Sequence, residues 1–230
     1  MPSMYPTISD PQAYIEVADD FVNLNTAATN GLWASVNDGA TGSLGLSTAL
    51  GAGGWINIPS AAADNDYQLL ATASKPFKFA AGKSLWLDCS LVLTEAATNV
   101  ANWVVGLCSI TTTGILASDG GGVPGTFDGA LFYKVDSTMS IKFTTSAAST
   151  QTTATLATFA SGTTYRLGLQ FDPNDGTTGI VTPYINGVAY TPQNIALSGL
   201  GLMYAVVGVK AGSSSAETLS VDYLRVAARR

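Results

Sequence analysis

Between Thr163 and Val226 apolar and polar residues alternate, and this constrains the fold more than any other stretch of the chain. In TTYRLGLQF, Tyr165, Leu167, Leu169 and Phe171 share one phase while Arg166, Gly168 and Gln170 share the other, the period of a strand buried on one side. DPNDGTTG supplies a turn, and IVTPYINGVAYT follows with Asn186-Gly187 between apolar runs. Both of those residues tolerate the positive φ of a type I′ turn, so the pair marks a tight hairpin. MYAVVGVK and TLSVDYLRV read as further strands, separated by the Gly/Ser-rich AGSSSAE. The stretch as a whole reads as four or five antiparallel strands joined by polar turns.

The same pattern extends upstream. LWASV, SLGLS, WINI and YQLLATA are short strand candidates divided by NDGATG and LGAGG. FKFAAGKSLWLDCSLVL reads as a strand entering a turn at Ala81-Gly82 and a long central strand, with Leu85, Leu87, Cys89, Leu91 and Leu93 on one face. Trp86, Asp88, Ser90 and Val92 occupy the other. NWVVGLCSI, ALFYKVD and MSIKFTT continue at sandwich spacing. The long connection TTTGILASDGGGVPGTFDG is the kind of segment on which such folds carry function. SAASTQTTATLATFASGT is low in complexity. Thr favours strands, and Leu156 and Phe159 give it something to bury, so a polar strand exposed on one side fits, with disorder as the alternative. Residues 14–22 suit a strand, but they also suit a short helix capped by Asp10 and started by Pro11. Residues 1–13 carry Pro2, Pro6 and Pro11 and read as an amino-terminal arm, with Tyr5 and Ile8 as apolar anchors against a partner subunit. Residues 14–230 read as a single β-sandwich domain, a length such folds reach without splitting.

YINGVAY and the closing VDYLRV resemble the last strands of the concanavalin A-like jelly-roll superfamily, which includes lectins, laminin-G-like modules and family-16 glucanases. That resemblance implies an all-β, antiparallel jelly-roll sandwich. DDFVNL, NGLWASVNDGATGSLGL and GGWINI resemble, in texture, jelly-roll virion proteins of tailed phages, particularly capsid decoration or cement proteins. The second resemblance implies a non-enzymatic bacteriophage structural protein on the virion surface. It would be made in the host cytoplasm, bind the major capsid protein or other virion subunits, and form a dimer or trimer of its own.

Composition bears on both readings. Charged residues make up 11% of the 230, far below the roughly 25% of ordinary domains. A skin so poor in charge fits a protein covered by other subunits, and it equally fits an extracellular glycan-binding domain. A net charge of −6 disfavours nucleic acid, and no apolar run approaches the roughly 18 residues of a membrane span. The beginning, MPSMYPTISDPQ, lacks the basic and apolar regions of a secretory signal.

Absences dominate the chemistry. The sequence has no histidine, which removes Ser-His-Asp and Cys-His nucleophile systems and most zinc sites. Glycosidases need two carboxylates about 5 to 10 Å apart. The family-16 pattern E-x-D-x-x-E is missing, and Glu16, Glu95 and Glu217 are isolated along the chain. No catalytic residue, metal ligand or cofactor is therefore expected. Glu16, Asp19 and Asp20 read as a solvated face beside Phe21, with a metal or acid/base group as the alternative. Asp172, Asn174 and Asp175 superficially match a calcium loop but lack its bidentate Glu, and those residue types also make tight turns. SDGGGVPG lacks phosphate-loop spacing. Cys89 and Cys108 read as core residues, with a disulfide between them as the alternative. Of Trp33, Trp55, Trp86 and Trp103, each reads first as a core or interface residue. Trp86 is the candidate glycan contact under the lectin-like alternative, because its phase partners Asp88 and Ser90 are polar.

Overall fold

The computed structural model describes residues 13–22, 31–38, 44–47, 54–111 and 113–230. These residues form sixteen strands and one short 3-10 helix, and every strand pairing among them is antiparallel, in two sheets. The larger sheet takes β1 (Tyr14–Asp19), β3 (Gly45–Leu46), β4 (Ile56–Pro59), β6 (Leu85–Thr94), β11 (Thr164–Pro173), β12 (Thr178–Ile185), β13 (Val188–Ala189), β14 (Gln193–Ala196) and β16 (Thr218–Arg229). Its order is β13-β12-β11-β6-β16-β4-β3, with β1 also on β16 and β14 also on β12. The smaller sheet has β2 (Trp33–Asn37), β5 (Tyr67–Thr72), β7 (Ala101–Cys108), β8 (Gly129–Lys134), β9 (Ser140–Ala147), β10 (Thr150–Thr158) and β15 (Tyr204–Ala211), in the order β10-β9-β8-β7-β15-β5-β2.

The inner faces make the main core. On β6, Leu85, Leu87, Cys89, Leu91 and Leu93 are all fully buried, as their alternation predicts. They meet Trp103, Val105 and Leu107 of β7 and Ala205, Val207 and Val209 of β15 in one apolar cluster. The Thr163–Val226 stretch holds six strands rather than four or five, because β13 and β14 are short. Successive strands also leave the sheet: β15 crosses to the smaller one, so β14 and β16 are not bridged by it. Asn186 and Gly187 take φ of 52° and 81°, the left-handed pair expected of the hairpin turn. Residues 14–19 are strand, not helix. Low-complexity residues 150–158 form β10, an edge strand half open to solvent, with Leu156 packed against the core. Tyr5 and Ile8 lie outside the described residues.

A second apolar layer covers the outer face of the smaller sheet. Val104 and Cys108 of β7, Leu131 and Tyr133 of β8, Leu69 of β5 and Val206 of β15 point away from the main core and are nevertheless buried. Their cover is the 109–128 connection, whose Ile115, Leu116 and Phe127 lie in the same cluster. The connection is fastened by polar contacts: Asn65 and Asp119 exchange two hydrogen bonds of 3.1 Å, and the Lys210 ammonium donates to the Leu116 carbonyl and the Ser118 hydroxyl. The segment expected to carry function is thus largely a structural lining. It also separates the cysteines, because Cys89 faces the inter-sheet core while Cys108 faces the outer layer. Both thiols are free and buried, and burial pushes the Cys108 thiol up to about 12.

Candidate binding face on the larger sheet

Among the described residues, the outer face of the larger sheet has no comparable lining. Antiparallel register sets its side chains in rows across the strands. Gly168, Asp88, Arg225 and Ala18 lie in line across β11, β6, β16 and β1, and Gln170, Trp86, Ala227 and Glu16 form the next row. Tyr184 of β12 faces Gly168 and brings its hydroxyl to the Gln170 side-chain oxygen at 3.3 Å.

At the centre Asp88 is only 2% exposed, because the Arg166 guanidinium lies over it in a forked pair. Arg166 Nε sits 2.9 Å from both carboxylate oxygens, a bidentate geometry that fixes the side chains relative to each other. Arg225 pairs with Glu16 on the neighbouring strand. Tyr223 has its hydroxyl pushed up by burial and then by the Asp88 charge, so it stays protonated beside that carboxylate. Next to it, Asp222 occupies the irregularity where β16 shifts register against β6, and burial followed by the charge of Asp20 raises its carboxyl. An open groove of about 470 Å³ runs between Ala18, Asp19, Asp20, Asp88, Arg166, Tyr223 and Arg225. Its size falls within the range of small-molecule sites, roughly 300 to 1,000 Å³.

Trp86 stands on this face, half-buried, two residues along β6 from Asp88 and tilted against Tyr14 with ring centroids 6.4 Å apart. Trp33 and Trp103 differ: they are 1% and 0% exposed, tilted against Phe21 and Phe159 in the core, while Trp55, half-buried like Trp86, lies just before β4 and outside these two rows. Asp88, Ser90 and Val92, expected to share an open face with Trp86, are instead buried at 2%, 7% and 7%. Arg166 of β11 lies over Asp88, and Tyr223 of β16 stands opposite Ser90 in the register. The Glu16, Asp19, Asp20 group is not a plain solvated face either. Glu16 is ion-paired, and Asp19 accepts 2.7 Å bonds from the Phe21 amide and the Trp33 indole, which leaves Asp20 exposed at the groove.

One further expectation changes, and another does not. Glu95 and Glu217 are brought together at one end of the sandwich, around Lys134. Glu95 accepts from the Lys134 ammonium at 2.8 Å, and Glu217 accepts from the amide of Ala96 at 3.0 Å. Both carboxylates are shut off from solvent, so they cannot flank a substrate. In DPNDGTTG, the Asp175 carboxylate collects the amides and hydroxyls of Thr177 and Thr178, which hold it below the usual carboxylate range. That is the chemistry of a turn, with the aspartate bonding its own backbone two and three residues on.

No family model matches the sequence, and no curated protein matches it significantly. Solved structures do match. A carbohydrate recognition domain of Emp47p superposes with a TM-score of 0.63 at 10% identity, over 95% of this chain and 98% of that one. Peanut lectin in complex with a nine-residue peptide gives 0.62 at 12% identity, over 94% and 97%. The fold is the concanavalin A-like jelly roll. An endo-β-1,4-glucuronan lyase from the fungus Trichoderma reesei shares this jelly roll at a TM-score of 0.56 and 10% identity, over 84% and 93%. At such identities the likeness reaches the jelly roll and stops there. The hairpin, the closing strand and the central leucine strand were readable in sequence, whereas the groove was not. It is assembled from β1, β6, β11 and β16, and the one local signal for it was an aromatic residue in the polar phase of β6.

Proposed function

We propose that this protein is a non-enzymatic saccharide-binding jelly roll whose ligand lies on the outer face of the larger sheet. The observation that carries the reading is Trp86, a half-buried indole on the outer face of the sheet, bordered by Tyr14, Gln170 and the fixed Asp88–Arg166 pair. An apolar ring plane stacks on the C–H face of a sugar, and planar polar groups held around it satisfy hydroxyls directionally. The names of two structural neighbours, a lectin and a carbohydrate recognition domain, support the same class. Asp88 is 2% exposed and bonded through both oxygens to Arg166, so it is not placed to exchange a proton with a ligand, which favours binding over hydrolysis. A glycan array probed with the wild-type chain and with Trp86→Ala tests the reading. Binding to a subset of glycans, reduced about ten-fold or more by the substitution, is the expected result. Silence across the array overturns it.

The capsid-decoration reading keeps one observation in its favour, the charge-poor composition, together with the uncharged edge strand β10. Mixing the chain with assembled shells tests it, and deletion of residues 2 to 9, which carry Tyr5 and Ile8, tests the arm as the contact.

A further inference from the structure

We propose that the groove beside Trp86 takes an uncharged saccharide and excludes glycans bearing carboxylate or sulfate groups. This rests on the saccharide reading above and adds the ligand's charge class to it. The groove has two cationic side chains, Arg166 and Arg225, and each is already engaged by a carboxylate of the same face, Asp88 and Glu16 respectively. An anionic sugar that takes the Nε and Nη2 donors of Arg166 must displace Asp88, and one that takes the remaining donors lies beside the carboxylates of the groove wall. The Asp88 carboxylate is 2% exposed, so stripping it leaves a buried charge without its partner, a strongly unfavourable state.

The remaining groups point the same way. Asp19 is occupied by the Phe21 amide and the Trp33 indole, yet its charge stays on the groove wall. Asp20 is exposed on that wall, close enough to Asp222 for its charge to disfavour ionisation there. The lining therefore carries more carboxylates than guanidiniums, and an incoming anion meets like charge at short range, where repulsion is least screened. A neutral ring meets no such barrier. Its hydroxyls are donors, each ionised carboxylate has about four lone-pair sites to accept them, and Trp86 supplies the apolar plane.

The test is a side-by-side titration of neutral, uronate-rich and sulfated oligosaccharides against the wild-type chain and Asp20→Asn, at low and at high salt. Each variant's fold is checked by its melting curve. The expected result is a preference for the neutral ligand of at least about ten-fold at low salt that narrows at high salt, the affinity of the neutral ligand itself changing little. Asp20→Asn should lower the neutral-to-anionic ratio several-fold. Tightest binding to a uronate or sulfate that falls steeply with salt overturns the charge assignment while leaving saccharide binding intact. A ratio unchanged in Asp20→Asn also overturns it. Failure to bind any of the three defeats the saccharide reading itself and this inference with it.

Discussion

Glu217 is fully buried just before β16, with one carboxylate oxygen on the Ala96 amide and the other without a partner. Burial raises its pKa to about 7; the Ala96 amide opposes this, the charge of Glu95 adds to it, and Lys134 opposes it. The unfolded chain releases this proton near the ordinary glutamate value, so between that value and about 7 the native state holds a proton the unfolded state has lost. The contribution to stability is full at acid pH and is lost as pH rises through about 7. Asp66, Asp136 and Asp222 are raised by burial too, so they act with the same sign over a more acid window. Glu217→Gln keeps an acceptor for Ala96 and removes the charge. We expect it to raise Tm at pH 8 by a few degrees, about 1–2 kcal/mol, and to change little at pH 5. Thermal melts across pH 5 to 8 check this. A variant that melts earlier at pH 8 would show that the carboxylate is held ionised by Lys134.

Strands in the middle of a sheet and strands at its edge should respond very differently to small changes. Gly106 of β7 has φ of 151°, and a methyl group there would sit 2.2 Å from the Ala130 carbonyl oxygen of β8. Gly106→Ala should therefore cost about 2–4 kcal/mol, whereas Thr152→Ala on the exposed side of β10 should stay within about 0.5 kcal/mol; denaturant midpoints measure both. Legibility divides along a related line. The leucine face of β6 and the Asn186-Gly187 hairpin depend on residues adjacent in sequence, and alternation and turn chemistry report them directly. What covers the other face of β6 depends on Arg166, 78 residues away from Asp88, and no local period encodes that. The pairing of Ala96 with Glu217, separated by 121 residues, escaped for the same reason, as did the lining supplied by 109–128. The nearly continuous burial of β5, β7 and β8 has its sequence sign in runs such as NWVVGLC, apolar in both phases, which mark a strand covered on both sides.

At the scale of the molecule the two outer faces are unequal: the connection covers one, while a groove with an indole beside it marks the other. The larger sheet is also closed late in the order of the strands. β6 pairs with β16 along Leu85–Thr94, and the opposite side of β16 holds β4 and then β1. A ribosome delivers these strands in sequence, at about 5–20 residues per second. Until Thr218–Arg229 has left the exit tunnel, β1 and β4 have no strand between them and β6, and one edge of β6 is left unpaired. Folding of the larger sheet is then coupled to the emergence of β16, and the waiting chain needs protection by a chaperone or by speed. Stalled nascent chains that stop before Thr218 should be cut readily by protease. Chains extended by a linker long enough to free Arg229 should resist, and equal resistance of the two would mean that the sheet assembles without β16.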